Sequence, residues 1–410
     1  MSANNAEWLS RFENIMPWGS GTCSKAITYW PEEPSVIVKG RGCRVWDADG
    51  REFIDFRNGL GPVTLGYAFP EVNEAIAAQL ESGVLFGHPT PLECEAAETV
   101  CRLVPCAQKA RFLKTGGEAI AACVKIARAF TGRDHIVHVG YNGWLSNLAG
   151  AKRTSPGQAA PERDETYPIG VPAVIGRLSH TCGWNDAGTM TTLFDEYDNQ
   201  IAAVVIACDY AEAELGSEFY PFVRKLTNER GALMICDEIV MGMRIAIGGA
   251  HDFFGFQPDL AVLSKGIANG MPLAVYAGRG DIMEACGRTG GAVVSSTFAG
   301  EALSLAAAKA CLSIYERDNV VGFLWRQGKR MWEGLQGIFD DKGIDIRIAG
   351  FYPAIAFAFN DAKLADPFFR AAYRNGVSLY QSSYVNFSHR NEDIDEALER
   401  LNAACRVFVK

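Results

Sequence analysis

The sequence predicts an α/β fold: a mostly parallel central sheet flanked by helices, with a smaller α+β domain formed by both termini. Two observations carry this. Between residues 60 and 300, short continuous apolar runs alternate with segments of helical spacing. That is how buried parallel strands joined by crossover helices read. Outside that stretch, a β-rich ribbon at the N-terminus and mixed strands and helices at the C-terminus supply a second layer. The expected division is 1–59 and 301–410 for the small domain and 60–300 for the large one. A chain of 410 residues is long enough to bury both cores.

The elements follow in order. MSANNAEWLSRFENIMPW is a polar start with helix-like spacing and no signal-peptide pattern. Residues 36–56 hold two short runs around a DADG turn, whose glycine takes a positive φ cheaply. Pro70 opens a helix to Gln79, and a second covers Pro91 to Leu103. RFLKTGGEAIAACVKIARAFTG reads as strand, glycine turn and helix, with Ala119, Ala122, Cys123, Ile126, Ala127 and Phe130 at helical spacing. HIVHVG is a short strand, and residues 150–190, rich in Gly, Pro, Ser and Thr, read mostly as loop. IAAVVIAC (201–208) is a buried strand, followed by the helix SEFYPFVRKLTNERG and the strands in GALMICDE, DLAVLSK and PLAVYAGR. Two long helices begin after Gly300 and near Val320; AIAFAF and VSLYQ are strands, and a terminal helix starts at Glu392.

Composition excludes several functions. Net charge is −9 with no Lys/Arg block, so neither nucleic acid nor an anionic membrane is an expected partner. No apolar run approaches the roughly 20 residues that span a bilayer. A cytoplasmic protein is expected. The 12 cysteines are irregularly spaced without CxxC and read as small buried hydrophobes. His138, His180 and His251 lack ligand spacing, and HExxH is absent, so no metal site is expected. The glycines at 40–42 and 59–61 do not form a dinucleotide fingerprint between strand and helix.

Ligands of open α/β sheets collect at the C-terminal ends of strands. Asp237 closes the run GALMIC there. Without a ligand it is a helix cap; with one, it holds a protonated ring nitrogen. Lys265 follows the run DLAVLS, 28 residues later. Most lysines are exposed, but one set against a buried strand is placed to hold an aldehyde as a Schiff base and to move a proton. Gly116 and Gly117 open a helix whose first amides suit a phosphate, although a tight turn alone explains them equally well. Thr297 is a second polar candidate for the phosphate, or a cap for the helix after Gly300. Tyr141 in VGYNGW is a ring for stacking, or an ordinary aromatic.

As a set, FLKTGGEA, GYNGW, the DE…K pair and SSTFAGEALSLAAAKA resemble the class III aminotransferase family of fold-type I pyridoxal-phosphate enzymes. The resemblance runs nearly the full length and leans toward the glutamate-1-semialdehyde aminomutase-like branch. It implies pyridoxal 5'-phosphate as cofactor, Lys265 as the Schiff-base lysine and Asp237 as partner of the pyridine nitrogen. It implies further that Gly116 and Gly117 bind the phosphate and that Tyr141 stacks on the ring. Thr297 would reach the phosphate of a neighbouring subunit in a homodimer with shared active sites. The chain departs from the family at several positions. Gly117 stands where Ser or Thr is usual, and Tyr141-Asn142-Gly143 replaces Tyr-His-Gly. Ala207-Cys208 replaces Glu-Pro, and Met241 stands where threonine is common. Gly59-Leu60-Gly61 replaces the branch's Ser-Trp-Gly, and Ile27 roughly matches its carboxylate-binding arginine.

These losses argue against glutamate-1-semialdehyde as substrate. IDFRNGLGPVTLGYAFPEV resembles homologues that aminate sugars or cyclitols. The expected reaction moves an amino group from a donor such as glutamate to a keto sugar, ketocyclitol or related keto compound. Tyr29, Trp30, Arg57, Asn58 and Tyr380 are the candidate substrate residues, each with an alternative as a loop or surface residue. An aminomutase or epimerase is the close alternative, because one lysine both removes and returns a proton. A homologue without catalysis, acting as a structural subunit, is the alternative of another class.

Overall fold

The computed structural model describes residues 4–145, 170–210 and 212–408. The N-terminal part holds α1 (Asn5–Ile15), β1 (Ile37–Arg41), β2 (Arg44–Asp47) and β3 (Glu52–Asp55). Then come α2 (Pro70–Ser82), α3 (Pro91–Leu103), β4 (Lys109–Leu113), α4 (Gly116–Thr131), β5 (His135–Val139), α5 (Ala173–Gly176), β6 (Ser179–Cys182), α6 (Ala187–Glu196) and β7 (Ile201–Ala207). α7 (Gly216–Arg230), β8 (Leu233–Asp237), α8 (Ala250–Phe254), β9 (Leu260–Leu263), β10 (Ala274–Gly278), α9 (Gly280–Met283) and α10 (Ala302–Arg317) follow. The chain ends with α11 (Val320–Lys342), β11 (Ile346–Phe351), β12 (Ala354–Phe359), α12 (Ala365–Arg374), β13 (Val377–Ser378), β14 (Ser382–Tyr384) and α13 (Asn391–Ala404).

The described residues fold into two compact units, a large one drawn from 71–321 and a small one drawn from the residues up to Pro70 and from Gly322 onward. The boundaries lie later than the expected 60 and 300. α10 belongs to the large unit because it packs on α3, where Lys309 pairs with Glu95 at 2.5 Å, and because Ala302 N–H donates at 2.8 Å to Val84 O, after α2.

The large unit carries a seven-stranded sheet in the order β4-β10-β9-β8-β7-β5-β6. All neighbours are parallel except β10, which runs antiparallel to β4 and β9. The alternation of apolar runs foretold the parallel sheet; strand direction at β10 is invisible to a pattern that reports only burial. Every residue of β8, β9 and β10 is buried. α4 lays Ile120, Cys123, Val124 and Ile126 against this core. Each such large side chain contributes ~1.5–3 kcal/mol. Phe130, read as part of that face, is 43% exposed, so the stripe ends a turn earlier.

Residues 150–169 of the expected loop lie outside the described residues. Beyond them, β6 and α6 occupy ground read as loop. β6 (SHTC) is an edge strand with only one buried residue, so it lacks the apolar run that marks its neighbours.

The small unit has the sheet β1-β2-β3-β13 and the antiparallel sheet β11-β12-β14. The expected two runs around the DADG turn are three strands, with the turn between β2 and β3. Of VSLYQ, only Val377 and Ser378 pair, parallel to β3. Seven of the twelve cysteines are buried, and all are free. Among the described residues, no helix is long and apolar enough to cross a membrane. Among those residues, no group of three or more His, Cys, Asp or Glu is placed to hold a metal ion.

Candidate active site

The large unit brings three strand ends to one edge of its sheet. β8 ends at Asp237, which pairs in register with Val262 of β9. β9 ends at Leu263, so Lys265 leaves the sheet next to Asp237. β4 runs parallel to β9 through the antiparallel β10, so Leu113 and the turn into α4 face the same way.

Lys265 has φ +47°, a left-handed conformation that a non-glycine residue adopts at a cost. Ser264 fixes the loop at its base, donating from Oγ to Leu273 O at 2.7 Å. Tyr315 OH of α10 donates to Gly266 O at 3.3 Å on the other side. The lysine is held by backbone on both flanks.

Asp237 is 8% exposed. Its Oδ1 accepts from Ile239 N–H at 3.1 Å, and its Oδ2 accepts from Asn142 Nδ2 at 3.4 Å. Burial pushes its pKa up to about 7, against the pull of the Ile239 amide, Asn142 and Lys265. A carboxylate kept in that state is stabilised by any cation brought against it. Its neighbour Glu238 does different work. Its oxygens accept from Ala250 N–H at 2.7 Å, His251 N–H at 3.0 Å and His251 Nδ1 at 3.0 Å. Burial opposes charge on His251, but Cys106 and Glu238 beside it push its pKa up to about 10. Glu238 thus clamps the loop between β8 and α8 and leaves Asp237 as the outward carboxylate of the pair.

The start of α4 is built by Thr115 and Glu118. Glu118 N–H donates to Thr115 Oγ1 at 3.3 Å, and Glu118 Oε2 accepts from Thr115 N–H at 2.8 Å. This reciprocal cap is a Thr-x-x-Glu capping box. At Gly116 an added Cβ would lie 2.3 Å from Ile239 Cδ1, so any larger residue would force the Ile239 side chain of the Asp237 loop to shift. At Gly117 the nearest atom to an added Cβ is Leu145 Cδ1 at 3.8 Å, an ordinary van der Waals contact. The first helical amides have no intrahelical acceptor and suit an anion.

Tyr141 follows β5 and is 49% exposed, with Asn142 buried behind it. Thr297 is exposed in the irregular stretch before α10. Glu301 caps that helix instead, accepting from Leu303 N–H at 2.7 Å and Ser304 N–H at 3.2 Å.

The substrate candidates all fall in the small unit. Arg57 donates to Glu33 Oε1 at 2.5 Å and to Tyr373 OH at 3.0 Å, with its guanidinium 4.7 Å above the Tyr380 ring. Glu33 also accepts from Thr28 N–H and Tyr29 N–H at 2.9 and 3.0 Å. Tyr29 stacks on Phe369 at 5.2 Å, and burial together with Glu33 pushes its hydroxyl up to about 12. Trp30 O accepts from Arg370 at 2.7 Å. Asn58 is fully buried: its side chain donates to Tyr384 O at 3.0 Å and accepts from Asn386 at 2.8 Å. Its amide therefore holds the unit together. Sequence reasoning named Asn142 only as a departure, and did not see its bond to Asp237 or its contact with His138.

A sequence profile of the Aminotransferase class-III family matches residues 29–405. The FumI protein of Sphingopyxis sp. MTA144, solved in its PLP internal aldimine form, is 25% identical, with a TM-score of 0.89 over 99% of this chain and 96% of that one. An omega-transaminase from Sphaerobacter thermophilus is 24% identical, TM-score 0.86, over 99% and 98%. A glutamate-1-semialdehyde-aminomutase from Pseudomonas aeruginosa PAO1 is 20% identical, TM-score 0.81, over 99% and 94%. The chain belongs to the class III aminotransferase family, with the fold-type I architecture, and is a pyridoxal-phosphate-dependent enzyme. The residues fit that cofactor: a buried carboxylate with its pKa raised to about 7 suits a cationic ring nitrogen, and the lysine leaves the neighbouring strand.

Proposed function

We propose that this enzyme transfers an amino group from an amino-acid donor to a neutral, hydroxyl-bearing keto compound such as a keto sugar or ketocyclitol. The observation that carries the acceptor class is Arg57. It is the one cation among the five candidate substrate residues, and Glu33 already neutralises it at 2.5 Å. A carboxylate acceptor would need a cation released from that pair. A polyhydroxylated one needs hydrogen-bond partners, which Tyr29 and Tyr380 supply.

When bound, pyridoxal phosphate supplies an aldehyde for the amine and a ring that takes up the electron pair left by a departing proton. The chain's residues do the rest. Lys265 carries the amine that holds the aldehyde carbon between turnovers. The same amine, when free, would be the group that takes and returns the proton at the donor's Cα. Asp237 would face the ring nitrogen and favour its protonated form. The amides of Gly116 and Gly117 hold the phosphate, and Tyr141 covers one ring face. Thr297, exposed in this chain, reaches the phosphate of a second copy in a homodimer.

The test is a half-reaction screen. Glutamate mixed with the loaded enzyme should yield 2-oxoglutarate and bleach the cofactor's visible band. The aminated form should then be discharged by keto sugars or ketocyclitols and not by simple 2-oxo acids. Discharge by 2-oxo acids alone sinks the acceptor class. Bleaching by no donor, with solvent deuterium entering one amino compound, identifies a mutase or epimerase instead.

A further inference from the structure

We propose that Asn142 is a positioning residue for the cofactor's ring, the middle of a one-way hydrogen-bond relay from His138 through Asn142 to Asp237. The relay favours the ionised form of Asp237, and this rests on the reading that Asp237 faces the ring nitrogen.

The direction follows from the donors. His138 Nδ1 lies 3.3 Å from Asn142 Oδ1, and an amide oxygen only accepts, so His138 donates from Nδ1. Asn142 then donates from Nδ2 to Asp237 Oδ2 at 3.4 Å. Flipping the amide would set an oxygen against the carboxylate, so the acceptor fixes the assignment. The other His138 nitrogen, Nε2, is buried without a partner, as the unprotonated nitrogen of a neutral ring should be. Burial lowers the pKa of His138 to about 4, and Arg128 and His180 oppose its charge as well. His138 therefore brings no charge to the relay near neutral pH.

The other groups acting on Asp237 are the Ile239 amide, Lys265 and Glu238. Glu238 is turned onto Ala250 and His251. Cys123 and Cys236 also feel Asp237, and burial pushes both thiols up, so they stay neutral. Two donors, one on each oxygen, therefore lower the carboxylate's affinity for a proton. A proton shared with the ring nitrogen stays on the ring. A histidine at 142, as the family's Tyr-His-Gly would supply, makes the same bond titratable. Asparagine does not titrate, so ring protonation in this chain is insensitive to pH through this contact.

The test uses the holoenzyme loaded with ring-¹⁵N pyridoxal phosphate. In the unsubstituted enzyme the ¹⁵N resonance should sit at the protonated position and stay there from about pH 6 to 9. Asn142→Leu keeps the size and removes the donor. Its resonance should move toward the unprotonated position, and kcat should fall about tenfold with KM little changed. Asn142→His should restore the protonated position at low pH and show a pH-dependent step that the parent lacks. The relay is overturned if Asn142→Leu keeps the parent resonance, or if Asn142→His has a flat profile. The histidine variant retains a donor and an acceptor, so it decides the matter where Asn142→Leu fails to fold. Asp237→Asn separates the two readings: if it leaves the resonance in place, Asp237 does not face the ring and the site assignment falls. If it moves the resonance while Asn142→Leu does not, only the relay falls.

Discussion

In the small unit, Arg44 sits among Glu52, Asp393 and Glu396 at 2.6, 2.8 and 2.6 Å, and Arg57 lies against Glu33. In the large unit, Asp237 is more enclosed than the Arg44 cluster, yet its oxygens have only two N–H donors and the Lys265 charge nearby. The consequences run in opposite directions. The arginine beside Asp393 and Glu396 holds both carboxyls below the usual range. Asp237 is pushed up to about 7 because burial outweighs what it receives. Closed charge pairs hold an element in place. A carboxylate left short of a cation is a binding site whose cost the fold carries until a ligand relieves it.

Removing the large unit's own cation gives the largest effect. Lys265→Ala should lower the transamination rate at least ~10³-fold, since one amine performs both the covalent and the proton-transfer roles. The bound cofactor's visible band should change with it. A variant that keeps both rate and band would place the chemistry elsewhere.

Asp237→Asn comes next, with kcat reduced about 10²-fold by a weaker electron sink. It also has a signature without cofactor. The folded pKa of about 7 lies above the ordinary 3.8, so the apo fold favours the protonated form. Its stability is then greatest below the lower value and declines as pH rises through about 7. The full difference is at most about 4 kcal/mol. Melting the apo enzyme from acid to mildly alkaline pH should show this decline, and Asp237→Asn should flatten it and melt higher than the parent at the alkaline end. An equal slope in both proteins would remove Asp237 from the comparison.

The small unit should respond in the opposite sense. Arg57→Met leaves Glu33 buried without its cation, and Tyr373 loses a partner. Loss of a buried partner costs about 3 kcal/mol. Urea unfolding at neutral pH should show that loss. Insensitivity of stability to the substitution would mean that the pair is not closed, and would restore Arg57 as a free substrate cation.

The contrast between units also explains what the sequence disclosed. The continuous apolar runs ending in Asp237 and Leu263 are one-dimensional signals, and they placed the sheet and its chemical edge. The roles of neighbours were hidden because they depend on direction. Asp237 and Glu238 are adjacent in sequence but turn opposite ways, one to the edge and one onto Ala250 and His251. Asn58 looked like a pocket donor, but its amide is consumed by Tyr384 and Asn386, more than 300 residues away in the chain. The bond from Asn142 to Asp237 crosses from the loop after β5 to the end of β8, and no local pattern announces it.

The smallest expected effect tests whether the phosphate turn is as incomplete as the Asp237 contact. Gly117→Ser would restore the hydroxyl the family usually carries at this position. An added Cβ there meets nothing closer than 3.8 Å, so the fold has room. Gly117 is not among the glycines with positive φ, so a side chain brings no backbone strain. Serine in place of glycine near a helix start gains a few tenths of a kcal/mol in helix stability. A hydroxyl reaching the phosphate adds a hydrogen bond to a charged acceptor, worth about 1 kcal/mol in water-exposed surroundings. Cofactor affinity, measured by reconstituting the apo enzyme, should therefore rise about fivefold, with kcat unchanged. Tighter inorganic phosphate binding by the apo enzyme should accompany it. If affinity for both is unmoved while the fold is intact, the amides at 116 and 117 are not where the phosphate binds. The large unit would then offer its cofactor the carboxylate and the lysine, with the anion held by other residues.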